Sequence, residues 1–110
     1  MTALARFEPL RRLGFAGISG AYATVGSPLD NPARAFCITN TTQGDLIFAF
    51  DSGDADGRII VVAGSYKLWD VQSNINPQFD DKFVLPVGAQ FYVKADTAAV
   101  SGDVFIEILY

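Results

Sequence analysis

Two apolar stretches of period two, separated by a polar break, fill residues 34–50, RAFCITNTTQGDLIFAF. Successive side chains of an extended strand point to opposite faces. Phe36 and Ile38 therefore share one face of the first stretch, with Ala35 and Cys37 on the other. Leu46, Phe48 and Phe50 share one face of the second, with Ile47 opposite. The intervening Asn40, Thr41, Thr42, Gln43, Gly44 and Asp45 are turn formers, so the segment predicts a β-hairpin that frames the core. It carries packing rather than chemistry.

The same grammar continues to the last residue. Asp51 to Gly57 (DSGDADG) is a loop, Arg58 to Ala63 a β-branched strand, and Gly64 and Ser65 turn the chain into a strand from Tyr66 to Asp70. The polar connection VQSNINPQFDD holds Asn74, Asn76 and Pro77, which do not suit a central strand. Short strands are expected at Phe83 to Leu85 and Ala89 to Lys94, and a strong closing strand at Asp103 to Tyr110. In that last strand Val104, Ile106, Ile108 and Tyr110 form one face, and Phe105, Glu107 and Leu109 the other. No helical stripe of useful length occurs, so the expected class is all-β: an antiparallel sandwich of about seven to eight strands. The apolar residues on both faces of Ile59 to Val62 and Phe105 to Leu109 imply either burial between layers or a covered outer face.

Residues 1–33 have a different character, with Pro9, Pro28, Pro32 and four glycines. We expect an extended N-terminal arm there, with one short strand at Ala21 to Val25 or a helical turn in Thr2 to Leu13, and a sandwich domain over residues 34–110. Charge is uneven too: three arginines against Glu8 put residues 1–12 at +2, so the remainder carries −6 of the total −4. An acidic body with three clustered arginines does not offer the extended basic surface that nucleic acid requires. Arg6, Glu8, Pro9, Arg11 and Arg12 interrupt each early apolar run, so neither a secretion leader nor a membrane span is expected. The lone Cys37 cannot make an internal disulfide and is expected as a small, buried, apolar side chain of the first strand.

From Ala33 onward, and over residues 21–110 in all, the chain resembles small structural virion proteins of tailed bacteriophages. The likeness lies in the Asn-Thr-Thr turn, the FDSGDADG loop, the VVAGSYKLWDVQSN and LPVGAQFYVK segments and the SGDVFIEILY terminus. The resemblance implies a jelly-roll-like sandwich that works in a virion after synthesis in the host cytoplasm. It implies a cement or decoration subunit, assembled as a homo-oligomer on the major capsid protein or on neighbouring virion subunits, without cofactor or catalytic residues. A neck, tail or fibre-attachment position is the alternative within that class. Phe7, Leu10, Arg11, Arg12, Leu13 and Phe15 are the expected partner-binding residues of the arm.

The residues themselves leave little room for catalysis. With no histidine, His-based nucleophile activation, His general bases and His-ligated zinc are excluded. Asp51, Asp54, Asp56 and Asp103 sit in Gly- or Ser-bearing turns, where solvation accounts for them. Trp69, with the loop Gln72 to Asp81, suggests a carbohydrate platform as a reading of another class, although a core role for the indole is the commoner fate. In DSGDADG, Asp54, Asp56 and Gly57 match three positions of an EF-hand loop, but Ser52 stands at the first and Ala63 at the twelfth, where a bidentate Glu is needed. The loop is therefore expected to be a solvated turn and no metal site. A calcium titration should leave both the melting temperature and the loop's amide NMR signals unmoved.

Overall fold

The structure, a computed structural model, describes residues 6–54, 56–70 and 85–110. Within them lie eight strands: β1 (Arg11–Gly14), β2 (Ala23–Thr24), β3 (Ala35–Asn40), β4 (Leu46–Ala49), β5 (Ile59–Val61), β6 (Tyr66–Asp70), β7 (Tyr92–Ala95) and β8 (Asp103–Leu109). A single 3-10 turn, Phe15–Gly17, follows β1. The strands form two four-stranded sheets, ordered β1-β8-β3-β6 and β2-β7-β4-β5, and every pairing within them is antiparallel. The chain is thus an all-β sandwich.

The pairs β1·β8, β2·β7, β3·β6 and β4·β5 are nested one inside the next, and alternate between the sheets. That is the pattern of a long two-stranded ribbon doubled between β4 and β5 and rolled over itself. Its inner faces follow the alternation read from the sequence: Phe36 and Ile38 from β3 and Val104, Ile106 and Ile108 from β8 meet Leu46, Phe48, Val61 and Val93 of the other sheet. The Phe36 ring spans the layers at one end, stacked on Trp69 (centroids 5.0 Å, planes 19° apart) and edge-on to Phe91 at 5.3 Å. Such ring pairs add about 0.5–1.5 kcal/mol each to the burial itself.

The hairpin expected at residues 34–50 does not form. Both strands exist with the predicted faces, but β3 pairs β8 and β6 while β4 pairs β7 and β5, so the polar break carries the chain from one sheet to the other. Asn40 explains the crossing. Fully buried at the end of β3, it donates from Nδ2 to the carbonyls of Gly44 (2.9 Å) and of Val61 in the opposite sheet (3.0 Å). Its Oδ1 accepts from the Thr42 amide (2.9 Å) and hydroxyl (2.7 Å). Each polar atom of the amide is satisfied, as burial demands. Phe50 also departs from expectation: β4 stops at Ala49, which is buried, and Phe50 is left partly exposed, its ring tilted against Phe91 at 5.1 Å.

Residues 6–33 are not an arm outside the sandwich. β1 forms an edge of the first sheet against β8, β2 an edge of the second against β7, and Val25, Leu29 and Ala33 belong to the core. The prolines and glycines punctuate this stretch because it changes sheets twice in few residues, and the amides of Val25, Leu29 and Ala33 all bond the 85–91 segment. The short strand predicted at Ala21 to Val25 is β2, whereas a strand, not a helical turn, leads into Leu13. The predicted strand from Phe83 lies outside the described residues save for Leu85, which bridges Ala33.

Because Phe48 is fully buried at the centre of β4, replacing it by alanine removes a ring that neighbouring strands cannot close over. Phe48→Ala should lower the unfolding free energy by about 3–5 kcal/mol, measured from urea midpoints by far-UV circular dichroism. Ile47→Ala, on the outer face of the same strand, should cost clearly less.

Candidate functional site

Two features stand out, one turned inward and one outward. The inward feature is an ion pair. Glu8 and Arg11 are only 5% and 4% exposed, with Arg11 Nη2 2.8 Å from Glu8 Oε1. The guanidinium spends its other donors on backbone carbonyls: Nε on Ser27 (3.0 Å), Nη2 on Pro28 (3.1 Å) and Nη1 on Pro9 (3.1 Å). The carboxylate accepts from the amides of Asp30 (3.1 Å) and Asn31 (2.7 Å) and from Asn31 Nδ2 (3.1 Å). Burial by itself pushes the Glu8 carboxyl up, but Arg11 and the Asn31 and Asp30 donors outweigh it and hold the group below the ordinary glutamate value. Gly26, at φ 72°, lies against the Arg11 stem, where a Cβ would collide with it. The whole cluster ties β1 to the loop of residues 27–31.

The outward feature is the outer face of the first sheet. Register places Phe105, Thr39 and Tyr66 in one cross-strand row, Glu107, Cys37 and Leu68 in the next, and Leu109, Ala35 and the exposed Asp70 in a third. Phe7 extends the third row through its bridge to Leu109, and Arg12 extends the first through its pairing with Phe105. Phe7, Leu68 and Tyr66 are 69%, 66% and 68% exposed, and Leu10 is 57% exposed. Two shallow hollows cross this face. One, of about 340 Å³, is lined by Phe7, Glu8, Leu10 and Glu107. The other, of about 250 Å³, lies among Phe7, Ala35, Phe36, Cys37, Leu68, Glu107 and Leu109, so Cys37, expected to be buried, is only partly so on the outer face of β3. Exposed apolar side chains therefore adjoin one another across three strands of this face, with Glu107 among them.

The six expected partner-binding residues divide between these features. Phe7 and Leu10 lie on the outer face. Arg12 is exposed, 3.1 Å from Asp103 and with its guanidinium carbon 5.5 Å from the Phe105 ring centre. Phe15 is partly exposed in the 3-10 turn. Arg11 and Leu13 are corrected: Arg11 is consumed by Glu8 and three carbonyls, and Leu13 packs on the core. The alternation of β1 brings this about, since Arg11 and Leu13 point inward and Arg12 outward. Leu68, Glu107 and Leu109 join the face from outside the expected set, as does Tyr66, an aromatic that the sequence offers beside Trp69 for a sugar platform; the two-faced apolar pattern of the closing strand and the opposition of Tyr66 and Leu68 to Trp69 are the signals that point to them.

Trp69 itself is half-buried with one ring face stacked on Phe36, so that face is not offered to a sugar. Its proposed companion loop, Gln72 to Asp81, lies outside the described residues. The DSGDADG loop holds an ion pair between Asp54 and Arg58, and the Tyr22 hydroxyl donates to the Asp54 carbonyl at 2.6 Å. Among the described residues no three acidic or thiol side chains converge to hold a metal ion. Comparison of the chain with protein-family models, with curated proteins and with solved structures finds no match.

Removing the Glu8 carboxylate strands a buried guanidinium. Glu8→Gln should destabilise the fold by about 3–5 kcal/mol at neutral pH, read from urea midpoints. Since the folded-state pKa of Glu8 lies below its unfolded value, the contribution is complete above the ordinary carboxylate range. It is lost as pH falls through the folded pKa, so the difference between wild type and Glu8→Gln should shrink on acidification.

Proposed function

We propose that this protein is a non-enzymatic structural subunit of a bacteriophage virion, a jelly-roll cement or decoration protein that binds the major capsid protein through the outer face of its first sheet. The observation that carries the reading is that apolar face, continuous from Phe7 and Leu10 across Leu109 to Leu68 and Tyr66. The nested order of the sheets is in keeping with a jelly roll, an architecture common among capsid proteins. The virion setting itself rests on the resemblance of residues 21–110.

On this reading the mechanism is burial of surface across a joint between subunits. A specific interface of ordinary size buries about 1,600 Å² in all, and repetition over many copies makes modest joints collectively strong. The internal ion pair serves the same end, because it fixes the backbone from which Phe7 and Leu10 project. A neck or tail position would use the same face against a different neighbour, and copy number separates the two.

A quantitative gel of purified virions encoding this chain should show hundreds of copies per particle for the head, or about six to twelve for a tail ring; absence from the particle would overturn the reading. Leu68→Asp, at an exposed site, should leave the melting temperature within a few degrees of wild type while cutting co-sedimentation with particles lacking the protein at least about tenfold.

A further inference from the structure

The outer face of the first sheet carries Asp70 at its β6 edge, the Arg12–Asp103 pair at its opposite end, and one further carboxylate among the apolar side chains near its middle. Glu107 is exposed in β8, opposite Cys37 of β3, and lines both hollows. Around it stand Phe7, Leu10, Leu68 and Leu109. Among the described residues, the basic side chain that register puts on this face, Arg12, is paired with Asp103, and no hydrogen bond or ion pair holds the Glu107 carboxylate. In the free protein water solvates it. Once the face is covered, that water is lost, and an unpaired carboxylate in an apolar interface is costly.

From this geometry we infer the chemistry of the occupant: a segment of a different protein whose apolar side chains fill the two hollows and whose central Lys or Arg meets Glu107. The inference rests on the outer face being the docking surface and names what docks there. Charge complementarity decides against a second copy of this chain. A two-fold contact centred on the face would set Glu107 against its own counterpart, and like charges opposed in an interface repel. A cationic partner instead converts the buried carboxylate into a charge-assisted hydrogen bond, which fixes register as well as partner choice.

The test uses the full chain and three synthetic peptides of alternating Thr and Leu that differ only in a central Arg, Gln or Glu. Binding is followed by amide chemical-shift changes, with sedimentation equilibrium reporting self-association. The Arg peptide should shift the signals of Phe7, Leu68 and Glu107 and bind about tenfold tighter than the Glu peptide. Glu107→Gln should abolish that preference, and Glu107→Lys should reverse it. Glu107 is exposed, so neither substitution should impair folding, and unchanged signals from the β4 and β7 amides verify this in the same spectra. Equal binding of all three peptides at this face would overturn the cation inference while leaving the docking surface standing. Binding of none would overturn both. A wild-type dimer disrupted by Leu68→Asp would make a second copy the occupant and likewise overturn it.

Discussion

The sandwich depends on one buried amide at a corner. Asn40 ends β3 and bonds the Val61 carbonyl of the opposite sheet and the Gly44 carbonyl ahead of β4, while Thr42 closes back onto it. A buried amide tolerates neither loss of a partner nor a shift in register, because each unmade hydrogen bond costs about 1–3 kcal/mol. The corner therefore stops β3 and β4 from pairing and sends them to different sheets. Thr41 adds a second clasp, its amide and hydroxyl both meeting the backbone of Asp103 at the start of β8. There Gly102, at φ 94°, leaves no room for a Cβ beside the Thr41 carbonyl. One turn thus fixes the entry to β4, the end of β3 and the entry to β8.

The Glu8–Arg11 cluster does comparable work for the outermost strand pair. A four-residue edge strand holds poorly by its own ladder, and β1 has neighbours on one side only. Arg11 suits the role because its planar fork reaches several acceptors at fixed angles; here they are one carboxylate and three carbonyls from two separated segments. Folding the stretch of residues 6–14 inward in this way is what leaves Phe7 and Leu10 aimed outward. The burial of Glu8 and Arg11 and the exposure of Phe7 and Leu10 are set by the same few residues.

The two outer faces differ accordingly. On the second sheet Tyr22 and Tyr92 meet edge to face at 6.3 Å, with the Lys94 ammonium 4.7 Å from the Tyr22 ring centre, and Ile60 stands exposed opposite Ile47. The first sheet offers apolar side chains with a carboxylate among them. Charges set amid exposed apolar residues discourage edge or face association between identical copies. They also select what covers the face.

The places of the described strands after β1, the inward set Phe36, Ile38, Leu46, Phe48, Val104, Ile106 and Ile108, and the all-β class were legible in the sequence, because alternation and turn chemistry are local. The opposed faces of Tyr66 and Trp69 were legible for the same reason. The mistaken hairpin at residues 34–50 shows where locality ends. Polar breaks that return a strand to its neighbour and breaks that carry it to another sheet use the same residues, and only the distant Val61 carbonyl distinguishes them. Arg11 and Arg12 looked alike in a basic, proline-rich stretch, yet pairing with β8 turned one into the interior beside Glu8 and left the other at the surface. Amino-acid order alone determined which residues could be buried in strands. Tertiary structure alone decided which strands became neighbours, and hence which charges were buried, since those choices depend on hydrogen bonds between residues far apart in the chain.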